Sequence, residues 1–146
     1  MGDHFASSTF LIIAIIFSFI LTPCGIMGNN TAESEGCFIQ EGLASWYGSN
    51  FQGTHTANGE IYDQETLTAA HKTLPFNTLV RVENMGNGET VTVRINNRGP
   101  YVEGRIIDLS RKAARKIGII KAGLVRVKLY LVKMGDKSPE KLKCKE

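Results

Sequence analysis

Five separated stretches of this chain carry side chains that could move protons or hold a polyhydroxy ligand. Asp108 stands in Arg105-Ile-Ile-Asp-Leu-Ser110, between apolar neighbours. Glu60 and Asp63 follow the Asn58-Gly59 pair, and His71 closes Leu67-Thr-Ala-Ala-His71. Asn97 and Arg98 occupy Val93-Arg-Ile-Asn-Asn-Arg-Gly-Pro100, and Tyr47 follows Trp46 in Leu43-Ala-Ser-Trp-Tyr47. A carboxyl can give and take a proton, and apolar surroundings favour its protonated form. Each residue also has a plainer reading. Asp108 could cap the helix that follows it. Glu60 could be a loop carboxylate, His71 a satisfied structural histidine, and Arg98 an ion-paired turn residue beside Gly99-Pro100. The three histidines fall in different blocks, and no spacing resembles a set of metal ligands.

These groups can meet only if a β-rich domain brings them together. Leu43–Gly48 reads as a strand, Gly48–Glu60 as turn-rich chain, and Leu67–Ala70 as a short extended piece. Residues 79–85 and 89–95 alternate apolar and polar with period two, and Gly86-Asn-Gly88 between them predicts a hairpin. Arg105–Leu109 is another strand. Ser110 is a helix N-cap and Gly118 a stop, with Ala113, Ala114 and Ile117 on one apolar face. Gly123–Val132 alternates again. About six short strands and one helix predict a closed barrel, because closure removes exposed sheet edges. Trp46 and Tyr47 point to opposite faces of a regular strand, so Trp46 is expected in the core and Tyr47 on the ligand side.

The 146 residues suffice for one ordinary domain. Phe10–Leu21 is apolar apart from Ser18, too short to span a bilayer comfortably and suited to the core of a secretion signal. The expected organisation is a signal segment over 1–24, a polar linker over 25–40, the barrel over 41–133 and a Lys-rich tail over 134–146. The net charge is +3, with much of the excess near the C-terminus, which allows weak attraction to an anionic surface. No basic stripe interleaved with aromatics marks a nucleic-acid binder. Of the three cysteines, Cys24 lies at the end of the signal segment. Cys37 and Cys144 flank the domain and are expected to form a disulfide in an oxidising compartment; two free thiols are the alternative.

Five blocks, in this order, resemble the rare lipoprotein A family: Gly42-Leu-Ala-Ser-Trp-Tyr-Gly48, Thr56-Ala-Asn-Gly-Glu60, Leu67-Thr-Ala-Ala-His-Lys-Thr-Leu-Pro75, Val93-Arg-Ile-Asn-Asn-Arg-Gly-Pro100 and Ile107-Asp-Leu-Ser110. The resemblance covers residues 42–132. It implies an all-β, six-stranded double-psi β-barrel with one short helix, exported to the bacterial envelope. It also implies endolytic lytic transglycosylation of peptidoglycan, preferring glycan strands stripped of stem peptides and leaving 1,6-anhydro-muramic ends. No cofactor is implied. Leu21-Thr22-Pro23-Cys24 resembles a lipoprotein signal, so Cys24 is a candidate lipid attachment point and membrane tether.

On this resemblance Asp108, Glu60 and His71 are the expected catalytic residues. Tyr47, Asp63, Asn97 and Arg98 are the expected substrate-binding residues. One carboxyl, Asp108 first, would protonate the leaving glycosidic oxygen and then deprotonate the muramic C6 hydroxyl. The family usually has Asp where this chain has Asn97. An amide keeps the shape and can hydrogen-bond, but it carries no negative charge and shuttles no proton. A non-catalytic, expansin-like glycan-binding module is therefore the alternative reading.

Overall fold

A computed structural model describes residues 36–135 of the protein. The predicted signal segment, Cys24, Cys144 and nearly all of the Lys-rich tail lie outside the described residues. The strands are β1 (Cys37–Trp46), β2 (Thr68–His71), β3 (Leu79–Asn84), β4 (Thr90–Asn97), β5 (Arg105–Leu109) and β6 (Val125–Lys133). One helix, α1 (Arg111–Lys116), links β5 to β6. The strands close into a barrel in the order β1-β5-β2-β4-β3-β6. The pairs β1/β5 and β2/β4 are parallel, and the remaining neighbours are antiparallel. Two features differ from the expected boundaries. β1 begins at Cys37, inside the expected linker, because Cys37 to Ala44 pair with β6. β6 begins at Val125, since Gly123 holds a φ of 72° that ends extended chain there. Cys37 is disulfide-bonded.

Alternation drives the packing. In β3 and β4 every second residue turns inward, so Val80, Val82, Val91, Val93 and Ile95 are buried while Thr90 and Thr92 are exposed. Ile107 and Leu109 of β5 and Val127 and Leu129 of β6 fill the same interior. Ala113, Ala114 and Ile117 seal it from the helix side, as their spacing predicts. Each large aliphatic side chain of this kind contributes on the order of 1.5–3 kcal/mol through burial. Trp46 packs against this core. The Ser110 hydroxyl accepts the Ala113 N–H at 3.2 Å and so caps α1. Asp108 does not: it lies two residues earlier, within β5.

Register then sets the site. Asn97 of β4 stands opposite Ala70 of β2, Ala70 stands opposite Asp108 of β5, and Asp108 stands opposite Ser45 of β1. Four strands thus bring three polar residues to one level, around a small alanine. Register shifts between Leu43 and Ala44 and between Ala69 and Ala70 adjoin this row. Such irregularities bend a strand and re-aim the side chains beside them.

Candidate active site

Asp108 has a side chain only 13% exposed. The Ser45 hydroxyl donates a hydrogen bond to its Oδ1. Arg105 Nη2 lies 4.0 Å from Oδ2, beyond hydrogen-bonding distance. Among the described residues, then, Oδ2 accepts no hydrogen bond. Besides the apolar sequence neighbours expected to desolvate it, two polar groups stand beside the carboxyl. Ile107 and Leu109 point into the core, while the carboxyl turns to the opposite face, with a hydroxyl and a guanidinium beside it.

Tyr47 follows the end of β1, held by its N–H donating to Leu109 O at 2.9 Å. Its ring packs against Phe51 and Tyr62, with centroids at 5.4 and 5.3 Å. Burial, then the charge of Asp108, push its phenol further above the ordinary tyrosine value. Asn97 Nδ2 donates to Tyr47 Oη at 3.2 Å. Asn97 Oδ1 accepts two backbone N–H groups, from Ala57 and from Arg98, each at 2.9 Å.

The Thr56–Glu60 turn is the second half of the site. Gly59 takes a φ of 92°, which a residue with a side chain adopts only with strain. That turn carries Glu60 over β4. Arg94 Nη1 and Nη2 grip its two carboxylate oxygens at 2.7 and 2.8 Å. Asn58 Nδ2 and Asn96 Nδ2 add bonds at 2.9 and 3.2 Å. Arg94 first holds the Glu60 carboxyl down at about 2; burial opposes it, and Asn96 and Asn58 add smaller lowering effects. Glu60 is thus a fully engaged carboxylate.

His71, at the end of β2, is buried. Its Nδ1 accepts the N–H groups of Thr73 at 3.2 Å and Leu74 at 3.1 Å. The ring is therefore the neutral form with the proton on Nε2, and Nε2 is buried with no hydrogen-bond partner among the described residues. Burial first, then Arg98 and Lys72, lower its pKa to about 4. Arg98 Nη1 reaches His71 O at 3.4 Å and Asn97 O at 3.5 Å, and its guanidinium stacks on Phe76 at 3.8 Å. This matches no ion-paired turn residue: Arg98 stitches the ends of β2 and β4 together.

The expected residues are therefore connected, but not all alike. Asn97 links to Tyr47 directly, to the Glu60 turn through Ala57, and to His71 through Arg98. No hydrogen bond or ion pair among the described residues ties Asp108 to Glu60 or His71. Asp63 stands apart from this network: it is exposed, and its Oδ1 accepts Glu65 N–H at 2.9 Å within its own turn. Three participants escaped the sequence reading. Ser45 and Arg105 flank Asp108, and Arg94 grips Glu60. Ser45 left a signal, a polar residue between Ala44 and Trp46 in an apolar strand. Arg94 left little, because an alternating strand routinely shows a charge on its outer face. No three His, Cys, Asp or Glu side chains among the described residues come together as metal ligands would.

The chain matches the family model described as lytic transglycolase over residues 39–129. It is 53% identical over 96 residues to the endolytic peptidoglycan transglycosylase RlpA of Campylobacter jejuni, covering 66% of this chain and 35% of that one. It is 48% identical over 108 residues to RlpA of Vibrio cholerae, covering 74% and 41%. The chain thus spans well under half the length of these two relatives. Among solved structures, the Streptomyces papain inhibitor superposes with a TM-score of 0.52 at 24% identity, covering 64% of this chain and 96% of that one. An expansin from Clavibacter michiganensis superposes with a TM-score of 0.51 at 21% identity, covering 67% and 51%. These two likenesses show the shared barrel fold. A family match across the whole barrel, with identity near half, has one consequence: the chain belongs to the lytic transglycolase family.

Proposed function

We propose that this protein is an endolytic lytic transglycosylase of peptidoglycan glycan strands, acting in the bacterial envelope, with Asp108 as its acid and base. The observation that carries this reading is the Asp108 carboxyl: one oxygen is anchored by Ser45, and the other accepts no hydrogen bond among the described residues. In the first step Asp108 gives its proton to the glycosidic oxygen as the C1–O bond breaks. In the second, the muramic C6 hydroxyl attacks C1 and Asp108 takes its proton. The product is a 1,6-anhydro ring and no water is consumed. Arg105, 4.0 Å away, faces the carboxyl when it carries charge between the steps.

Tyr47 and Asn97 line the substrate side. Glu60, expected among the catalytic groups, is assigned to positioning, since Arg94, Asn58 and Asn96 occupy its carboxylate. His71 is assigned to holding the end of β2, its Nδ1 accepting two backbone N–H groups while its Nε2 is buried away from the substrate side. Asp63 binds substrate only at the periphery, if a strand runs past its exposed turn. A preference for strands without stem peptides and a lipid tether at Cys24 belong to the same reading and are supported by the resemblance alone; a Cys37–Cys144 bridge is supported by the cysteine count and by Cys37 being disulfide-bonded.

A second reading has its own observation. Asn97 stands where the resemblance leads one to expect Asp, and its amide makes three hydrogen bonds without a charge. On that reading the barrel binds glycan and does not cut it. Purified protein incubated with peptide-free glycan strands separates the two, with anhydro-muramic ends measured by mass spectrometry. Wild type should release them and Asp108→Asn should not. If wild type binds glycan without cleaving and Asn97→Asp cleaves, this chain is a binder.

A further inference from the structure

Asn97 departs from the family pattern, and its three hydrogen bonds say what the departure changes. The side-chain oxygen faces two N–H donors, from Ala57 and Arg98. A flipped amide would press an NH2 against both, so the assignment of oxygen and nitrogen is settled by the network. The nitrogen must then be the atom facing Tyr47, and it must donate. Tyr47 Oη is therefore an acceptor in this bond, and its own O–H proton is not used in it. Among the described residues no acceptor takes that proton. An Asp at position 97 would reverse this. Its second oxygen could only accept, and the phenol would have to donate to it.

We propose that Tyr47 is a hydrogen-bond donor to bound glycan in this chain, and that Asn97 is the positioning residue that leaves its hydroxyl proton free. This rests on the glycan-binding reading above and deepens it. The recipient would be an acceptor oxygen of a saccharide lying beside Asp108. Burial and the nearby Asp108 charge both oppose phenol ionisation, so the proton stays on Tyr47 near neutral pH. The exchange of Asp for Asn at position 97 thus does more than remove a charge. It hands the site a donor that a carboxylate would have consumed.

A double-mutant cycle in the full chain tests this, with Asp108→Asn present throughout so that no ligand is turned over. The probe is a peptide-free glycan tetrasaccharide, and affinity is read by calorimetry. Tyr47→Phe should weaken binding about five- to tenfold when Asn97 is present, the size of one neutral hydrogen bond. With Asn97→Asp already in place, Tyr47→Phe should cost less than about twofold, since the donor is already spent. Equal losses in both backgrounds, or no loss beside Asn97, overturn the proposal while leaving glycan binding itself intact. A ligand-free measurement covers the hydrogen bond alone: the Asn97 side-chain amide protons, followed by NMR, should shift in Tyr47→Phe. If they do not, the amide does not donate to the phenol and the proposal fails. If the parent protein binds no glycan at all, the donor role falls together with the reading beneath it.

Discussion

Two carboxyl groups expected at the site, Glu60 and Asp108, meet opposite surroundings. Glu60 is 41% exposed, but a bidentate arginine and two amides use both its oxygens. Asp108 is much less exposed, but only one oxygen is hydrogen-bonded and its arginine stands off at 4.0 Å. Exposure is thus a poor guide to availability. A carboxylate whose lone pairs are all engaged acts as a strut, whereas a half-engaged one can exchange a proton. The difference arises from placement. Glu60 rides a turn over the outer face of β4, where Arg94 projects. Asp108 sits in a strand whose neighbours at that level are Ser45 and Ala70.

That contrast can be broken at its strongest point first. Asp108→Asn keeps the shape and an acceptor for Ser45, so folding should persist while release of anhydro ends falls at least about a hundredfold. Comparable release by the variant would remove Asp108 from the chemistry. The corresponding Glu60→Gln change should leave turnover within about tenfold of wild type, because Glu60 exchanges no proton in the reaction and the amide oxygen keeps one side of the contact with Arg94 and the asparagines.

His71 is next in size and acts through pH. Its folded pKa of about 4 lies below the unfolded value of 6.5, because burial and two cations disfavour the charged ring. Stability from this group is therefore complete above 6.5 and is lost as pH falls towards 4, by roughly 3 kcal/mol in all. Urea denaturation from neutral to acidic pH should show this limb, and His71→Gln should flatten it. An unchanged slope in the variant would mean that other groups carry the acid sensitivity.

Ser45→Ala removes a buried donor to a carboxylate. It should lower stability by about 2 kcal/mol in thermal unfolding and also reduce cleavage, since Asp108 loses its anchor. A loss of stability with full activity would show that the carboxyl holds its position without Ser45. Glu60→Gln should have the smallest effect on stability, about 1 kcal/mol or less, because the pair with Arg94 is partly solvated. Its folded pKa of about 2 lies below 4.5, so its contribution is present above 4.5 and is lost only as pH falls through about 2. Screening by molar salt should shrink it further.

Much of the barrel was legible in the chain. The alternation in 79–85 and 89–95 and the Gly86-Asn-Gly88 turn match β3, β4 and their hairpin, with Gly88 at a φ of 74°. Ser110 and Gly118 bracket α1, and Asp108, left open as a rival cap, proved to be strand. The N-terminal edge was not legible. Residues 37–40 read as polar linker, yet they form strand by pairing with β6, a partner about ninety residues away. Local composition carries no trace of so distant a partner.

The site divides along the same line. Residue types and order are written in the chain: a carboxyl between isoleucine and leucine, a histidine at a strand end, and an asparagine just ahead of Arg98-Gly99-Pro100. Their chemical capacities follow from the side chains alone. Which carboxyl is occupied and which is half free, which way the Asn97–Tyr47 bond runs, and that Arg98 ties His71 to Asn97 were decided only by folding. Those properties depend on donors and acceptors that β-strand register brings from positions up to 63 residues apart, and hydrogen bonding acts over a few ångströms of space rather than along the chain.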